Sequence, residues 1–316
     1  MPSYSGVWTL TAQYQARGSG QWNPPNLSGD IGLFGGGETS VDRTNSITYI
    51  NIASTGNSVA FGDLSVARGE LAACASSSRG VFGGGTVSGG ANTNVIDYVI
   101  LNVKGNAVDF GDLTAARRKL SGCGNETRGL FGGGASSNVI DYITIASAGN
   151  ATDFGDLPYS ALGAGACSSS TTGVWGGGYP GSNTNVISYV TIATTGNAAD
   201  FGDLTVARSE LSACSSSTRG TFGGGYVAAR SNIIDYITIA SAGNATDFGD
   251  LTAATQELGA LSSTTRGVWG GGDSGARTNV IQYITIASTG NATDFGDLTA
   301  AINVLAGCSN VNGGVQ

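Results

Sequence analysis

The stretch LSACSSSTRGTFGGGYVAARSNIIDYITIASAGNATDFGDL (211–251) decides the fold. It divides into four short segments: LSACSSS (211–217), RGTFGGG (219–225), NIIDYITIA (232–240) and ATDFGDL (245–251). Each has strand length and is bounded by Gly, Asn or Ser. β-branched and aromatic residues dominate the third, and none shows a helical period. Four strands in so short a span make one small antiparallel sheet.

The same sheet is written six times. A Phe or Trp followed by three glycines begins at Phe34, Phe82, Phe131, Trp175, Phe222 and Trp269, at intervals of 48, 49, 44, 47 and 47 residues. FGDL begins at Phe61, Phe110, Phe154, Phe201, Phe248 and Phe295, and the third segment carries Tyr49, Tyr98, Tyr142, Tyr189, Tyr236 and Tyr283. Repeats of four strands at this period predict β-propeller blades and exclude a helical solenoid. The first Gly triplet has no first strand before it. The last FGDL is followed by one, INVLAGCSN (302–310). In a closed ring that segment completes the first blade and removes an open sheet edge. The prediction is an all-β, six-bladed propeller over 31–316, with an N-terminal extension over 1–30.

Glycines ending the second strand, Tyr on the third and a large aromatic on the fourth resemble the Kelch family of propellers. Here a Gly triplet and Phe stand where Kelch units usually carry a Gly pair and Trp. The near identity of ITIASAGNATDFGDLTAA (237–254) and ITIASTGNATDFGDLTAA (284–301), with the leader SGVWTLTAQYQARGSGQWN (5–23), is similar to Gly-rich repeat proteins of tailed phages, especially marine ones. That resemblance implies a virion structural protein, a tail fibre or appendage, made in the host cytoplasm.

Composition narrows the chemistry. Of 316 residues, 53 are Gly and only 36 are charged, with a net charge of -8, so a basic nucleic-acid footprint is missing. No apolar run reaches the roughly 20 residues of a membrane span, and no standard secretion signal opens the chain. Histidine is absent, which removes the commonest general base and transition-metal ligand. No Ser-His-Asp set, P-loop, Cys-His cluster or Asp box of the sialidase type occurs. A carboxylate pair could hydrolyse a glycan, but the aspartates follow the sixfold pattern, whereas catalytic sites usually break symmetry. The expectation is a non-enzymatic protein without cofactor or metal. The FGDL aspartates read as turn and backbone partners rather than calcium ligands, and the Asn-Ala-Thr sequons at Asn150, Asn244 and Asn291 as repeat turns. Cys74, Cys123, Cys167, Cys214 and Cys308 occupy one repeat position, with Leu261 at the sixth. A site that accepts Cys or Leu is small and apolar, so five free, buried thiols and a reducing compartment are expected.

Antiparallel order sorts the connections. First-to-second and third-to-fourth turns share one face and hardly vary. Second-to-third loops and interblade links share the other and vary strongly. Variation on one face of a rigid ring points to recognition. That face is expected to hold Arg43, Arg68, Arg117, Arg118, Lys119, Arg208, Arg230 and Arg277 against Glu38, Asp42, Glu70, Glu210, Glu257 and Asp273. The balance is 8 - 6 = +2, leaving -10 elsewhere. Tyr159, Tyr179 and Tyr226 also fall there. Arg43, Arg117, Arg118, Tyr159, Tyr179, Tyr226, Arg230 and Arg277 are therefore the candidate ligand-binding residues, suited to an acidic glycan or acidic protein surface. Trp8, Leu10 and Tyr14 in the leader are candidates for docking onto other virion proteins. Two functions follow as expectations: an adhesin that binds a host surface glycan or protein, and a capsid or tail decoration protein serving as a rigid spacer.

Overall fold

In the structure, a computed structural model, residues 27–315 are described. The leader candidates Trp8, Leu10 and Tyr14 lie outside the described residues. Among the described residues there is no helix, hence none long and apolar enough to cross a membrane.

Six four-stranded antiparallel sheets form the blades of a propeller. Blade 1 consists of Ala306–Ser309, Ile31–Gly35, Ser46–Asn51 and Val59–Asp63, in spatial order from the central channel outward. Blade 2 is Ala72–Ala75, Arg79–Gly83, Val95–Ile100 and Val108–Asp112; blade 3 is Ser121–Gly124, Arg128–Gly132, Val139–Thr144 and Thr152–Asp156. Blade 4 is Gly165–Ser168, Thr172–Gly176, Val186–Thr191 and Ala199–Asp203. Blade 5 is Ser212–Ser215, Arg219–Gly223, Ile233–Thr238 and Thr246–Asp250; blade 6 is Gly259–Ser262, Arg266–Gly270, Val280–Thr285 and Thr293–Asp297. A two-stranded ladder, Arg68–Gly69 with Thr86–Val87, joins a link to a loop. The C-terminal strand closes blade 1, with Cys308 opposite Leu33.

The core lies between blades. One cluster combines Cys123, Leu130, Ile140 and Phe154 of blade 3 with Trp175, Val190 and Ile192 of blade 4. The aromatic before each Gly triplet packs onto the preceding blade. A Cβ added at Gly35 would lie 2.7 Å from Phe82, and one at Gly132 would lie 2.6 Å from the Trp175 ring. The first glycine is thus space for a neighbour's ring. The repeat Tyr and Phe meet edge-on within every blade, with centroids 5.7–6.3 Å apart. Arg79, Arg128, Arg219 and Arg266 lie over the Tyr of their own blades. Each also donates to a carbonyl of the next blade, as Arg266 Nη1 does to Ile52 O at 2.9 Å.

Fourth strands are joined around the circumference. Asn57, Asn106, Asn150, Asn197, Asn244 and Asn291 each accept, through Oδ1, the backbone N–H of the FGDL aspartate on the preceding blade, at 3.0–3.1 Å. This is what the sequon asparagines and the FGDL turns do. Backbone groups of the aspartates make these bonds; Asp63 O, for example, also accepts Ala107 N–H.

All five cysteines are free and buried. Each Sγ fills the space left by a glycine of the next blade: a Cβ at Gly129 would lie 2.4 Å from Cys74 Sγ. Burial pushes every thiol up, Cys214 and Cys308 to about 12. Native protein at pH 8 is therefore expected to leave an aromatic disulfide reagent unreacted, and denatured protein to react at all five thiols. Rapid colour from the native protein would contradict this packing.

Candidate functional site

Loops and links gather on one face, as the antiparallel order requires. The third glycine of each triplet donates to a link carbonyl there, Gly37 to Arg68 O and Gly178 to Arg208 O, both at 2.9 Å. The opposite, turn face receives both ends of the described chain. Leu27 N–H donates to Asn102 O in the blade 2 turn. The tail after Ser309 crosses the channel mouth on that face. A Cβ at Gly313 would lie 2.4 Å from both Ser168 O and Ser216 O, and Asn312 lines the small cavity beneath.

The channel opens instead on the loop face, as a cavity of about 110 Å³ lined by the first strands and the residues before them. That volume holds several waters. Its rim is a closed hydrogen-bonded circle. Glu70, Lys119, Gly163, Glu210, Glu257 and Val304 each donate backbone N–H to the preceding member's carbonyl, at 2.7–3.0 Å. All six have φ between +50° and +65°. Five are not glycine, so the circle overrides a conformational cost on the order of 1 kcal/mol or more per residue.

Side chains break the circle's symmetry. Lys119 Nζ lies 2.7 Å from Glu210, 3.6 Å from Glu257 and 3.8 Å from Glu70. Burial disfavours the Lys119 ammonium, but the three carboxylates outweigh it and raise its pKa above the ordinary value. Burial raises the Glu210 carboxyl by more than Lys119 lowers it. Replacing Lys119 by Met removes the only cation among these four. The variant is expected to lose about 2 kcal/mol at neutral pH. Its Glu210 carboxyl, raised above its unfolded value, then binds a proton more tightly in the folded state. Stability should therefore rise as pH falls toward the carboxylate range and fall as pH rises through it. Urea melts of Lys119→Met at pH 5 and pH 8 check the sign.

Arg117 is not exposed on the loop face. Its side chain is buried against Asp141 at 3.0 Å and donates to Phe131 O. Arg68 with Asp97 and Arg208 with Asp235 do the same in blades 2 and 5, at 3.0 and 2.7 Å. Tyr159 also turns away from the face: it is largely buried, and its hydroxyl lies 3.1 Å from Gly177 O and Val186 O. It takes the place Arg208 Nε holds on Gly224 O in blade 5. Guanidinium and phenol both reach inward to a backbone carbonyl of the Gly triplet.

The other candidates are on the face. Arg43 pairs with Glu38 at 2.7 Å, Arg277 with Glu38, Arg118 with Glu70 at 3.6 Å, and Arg230 with Asp273 at 2.7 Å. The hydrogen bond from Arg230 holds the Asp273 carboxyl below its ordinary range. Without the three buried arginines, the face carries five basic and six acidic residues, 5 - 6 = -1, instead of +2. Tyr179 and Tyr226 are 47% and 42% exposed. Among the described residues no group of three or more His, Cys, Asp or Glu side chains is placed to hold a metal ion.

The buried pairs had a signal in the sequence. Where the link carries Arg (Arg68, Arg117, Arg208), the third strand of the following blade carries Asp (Asp97, Asp141, Asp235). Where the link carries Ala161, Thr255 or Ile302, the strand carries Ser188, Gln282 or Thr48. Co-occurrence between fixed repeat positions marks a contact, not a solvated loop.

No protein-family model matches the chain, and no curated protein sequence matches it.

Proposed function

We propose that this chain is a non-enzymatic virion structural protein of a tailed phage, a Kelch-like propeller that acts as a tail-fibre or appendage adhesin. The observation that carries the reading is a division of labour between faces. Variable loops and the exposed tyrosines share one face, whereas Leu27, the first described residue, lies at the other, beside Asn102. A protein held by its leader then presents the loops outward. Exposed Val59, Ile100, Val103 and Val108 support attachment in that sector. They lie on blades 1 and 2, and Thr, Ala or Ser occupies the same positions in blades 3 to 6. The partners are accordingly other virion proteins at the leader and a host surface molecule at the loops.

Particles carrying Tyr179→Ala, Tyr226→Ala and Arg230→Ala are expected to assemble at normal yield and to lose adsorption to host cells. Arg117 and Tyr159 are unsuitable for this test because their loss perturbs the blades. Normal adsorption by the triple variant would remove the reading. A second reading, a decoration protein with the ring as spacer, is favoured by the mutual pairing of the surface arginines. It expects deletion of residues 1–23 to prevent incorporation, and the triple variant to infect normally.

A further inference from the structure

We propose that the loop face binds a neutral, pyranose-containing glycan on a platform formed by Tyr179 and Tyr226 of blades 4 and 5. This rests on the adhesin reading and replaces the acidic ligand that sequence charge alone suggests. Three observations carry it.

The first is position. The residue after the Gly triplet is Glu38, Thr86, Ala135, Tyr179, Tyr226 and Asp273 in blades 1 to 6. Tyr therefore occurs only on two neighbouring blades, and both side chains are among the exposed large apolar groups, with Val227 beside them. The repeat tyrosines and Tyr159 are half-buried or buried and already engaged.

The second is rigidity. Asn183 of the blade 4 loop donates through Nδ2 to Tyr226 O and Val227 O at 3.0 and 2.7 Å, and its Oδ1 accepts Ser209 Oγ–H at 2.8 Å. Tyr226 N–H donates to Ser209 O, and Tyr179 N–H to Leu162 O, at 2.7 and 3.0 Å. Both tyrosine backbones are tied to the ring and their loops to each other. A preformed platform loses little entropy on binding, and Tyr itself has few rotamers to lose.

The third is charge. An acidic sugar would need a free cation beside the tyrosines, yet Arg230 is held by Asp273 at 2.7 Å, Arg43 and Arg277 share Glu38, and Arg118, by the blade 3 loop, lies 3.6 Å from Glu70. Breaking such a pair to bind a carboxylate gains little at an exposed site. A neutral pyranose needs no such exchange. Its C–H face stacks on the Tyr ring, and its hydroxyls can meet the Tyr hydroxyls and the paired Arg230–Asp273 edge. Two equivalent tyrosines let successive sugars of one chain contribute together.

Affinity electrophoresis in native gels containing dextran, galactomannan, laminarin or alginate tests this. The wild-type chain should be retarded in at least one neutral gel, and about 0.5 M salt should not release it. Tyr179→Ala/Tyr226→Ala should weaken retention at least about tenfold, with thiol protection unchanged to show an intact fold. Val103→Ser, on the other face, should bind as wild type. No retardation in any neutral gel, retardation confined to alginate and lost in salt, or wild-type retention by the double variant would each overturn the inference. Particle adsorption judges the adhesin reading separately. Particles that adsorb through the loops while every neutral gel is negative would sink the glycan class alone, whereas particles whose adsorption ignores the loop variants would sink the adhesin.

Discussion

Asp235→Ser alone is expected to cost about 3–5 kcal/mol, and Arg208→Ala with Asp235→Ser together much less. Arg208 and Asp235 are both wholly buried, 2.7 Å apart. Thr205 Oγ also donates to the carboxylate, at 2.5 Å. Removing only the carboxylate leaves a guanidinium inside the blade, with only the carbonyls of Phe222, Gly224 and Val206 as its remaining partners. An unpaired buried charge loses its solvation without compensation. The double variant reproduces Ala161 and Ser188, the residues blade 4 carries at these two positions. Blade 4 accepts that neutral pair with Tyr159 on the carbonyl that Arg208 Nε holds in blade 5, so adding Val206→Tyr to the double variant completes the blade 4 arrangement. Chemical denaturation of the two single variants and the double gives the coupling directly. Additive losses would show that Arg208 and Asp235 do not act as one unit.

The same comparison shows how much of the molecule was legible in its sequence. Blade number, strand order and closure by Ala306–Ser309 follow from repeated aromatics and glycines, because each blade must solve the same packing problem. Cys against Leu261 at one position was enough to predict burial of the thiols. The site was less legible. Loop residues lie on the variable face by topology, but topology does not say whether a side chain turns outward or folds back. Arg117 and Arg118 are adjacent, yet one is buried on Asp141 and the other half-exposed near Glu70. Composition treated them alike. The circle of Glu70, Lys119, Gly163, Glu210, Glu257 and Val304 also escaped. Its members share a left-handed backbone rather than a residue type, and only Gly163 advertises that conformation.

Removing residues 302–316 is expected to abolish cooperative folding altogether. The segment supplies the channel-side strand of blade 1, with four register pairs from Gly32 to Gly35. It also supplies Ile302 and Leu305 to the core around Phe34, and Ala306 and Cys308 to the core around Leu33. Each large apolar side chain uncovered costs about 1.5–3 kcal/mol, and several together approach the whole 5–15 kcal/mol typical of a folded domain. Val304 leaves the rim circle as well, so the loss spreads from blade 1 to blade 6 through its bond to Glu257 O. What the ring needs is the strand, not its covalent position. A permuted chain in which 302–316 precedes residue 27 through a short Gly-Ser linker, and which ends at 301, keeps every one of these contacts. Both ends to be joined lie on the turn face. That chain should melt cooperatively with all five thiols protected, while the truncated chain, which lacks Cys308, should neither melt cooperatively nor protect its remaining four. A truncated chain with native thiol protection would mean that blade 1 is dispensable and that closure does not hold the ring together.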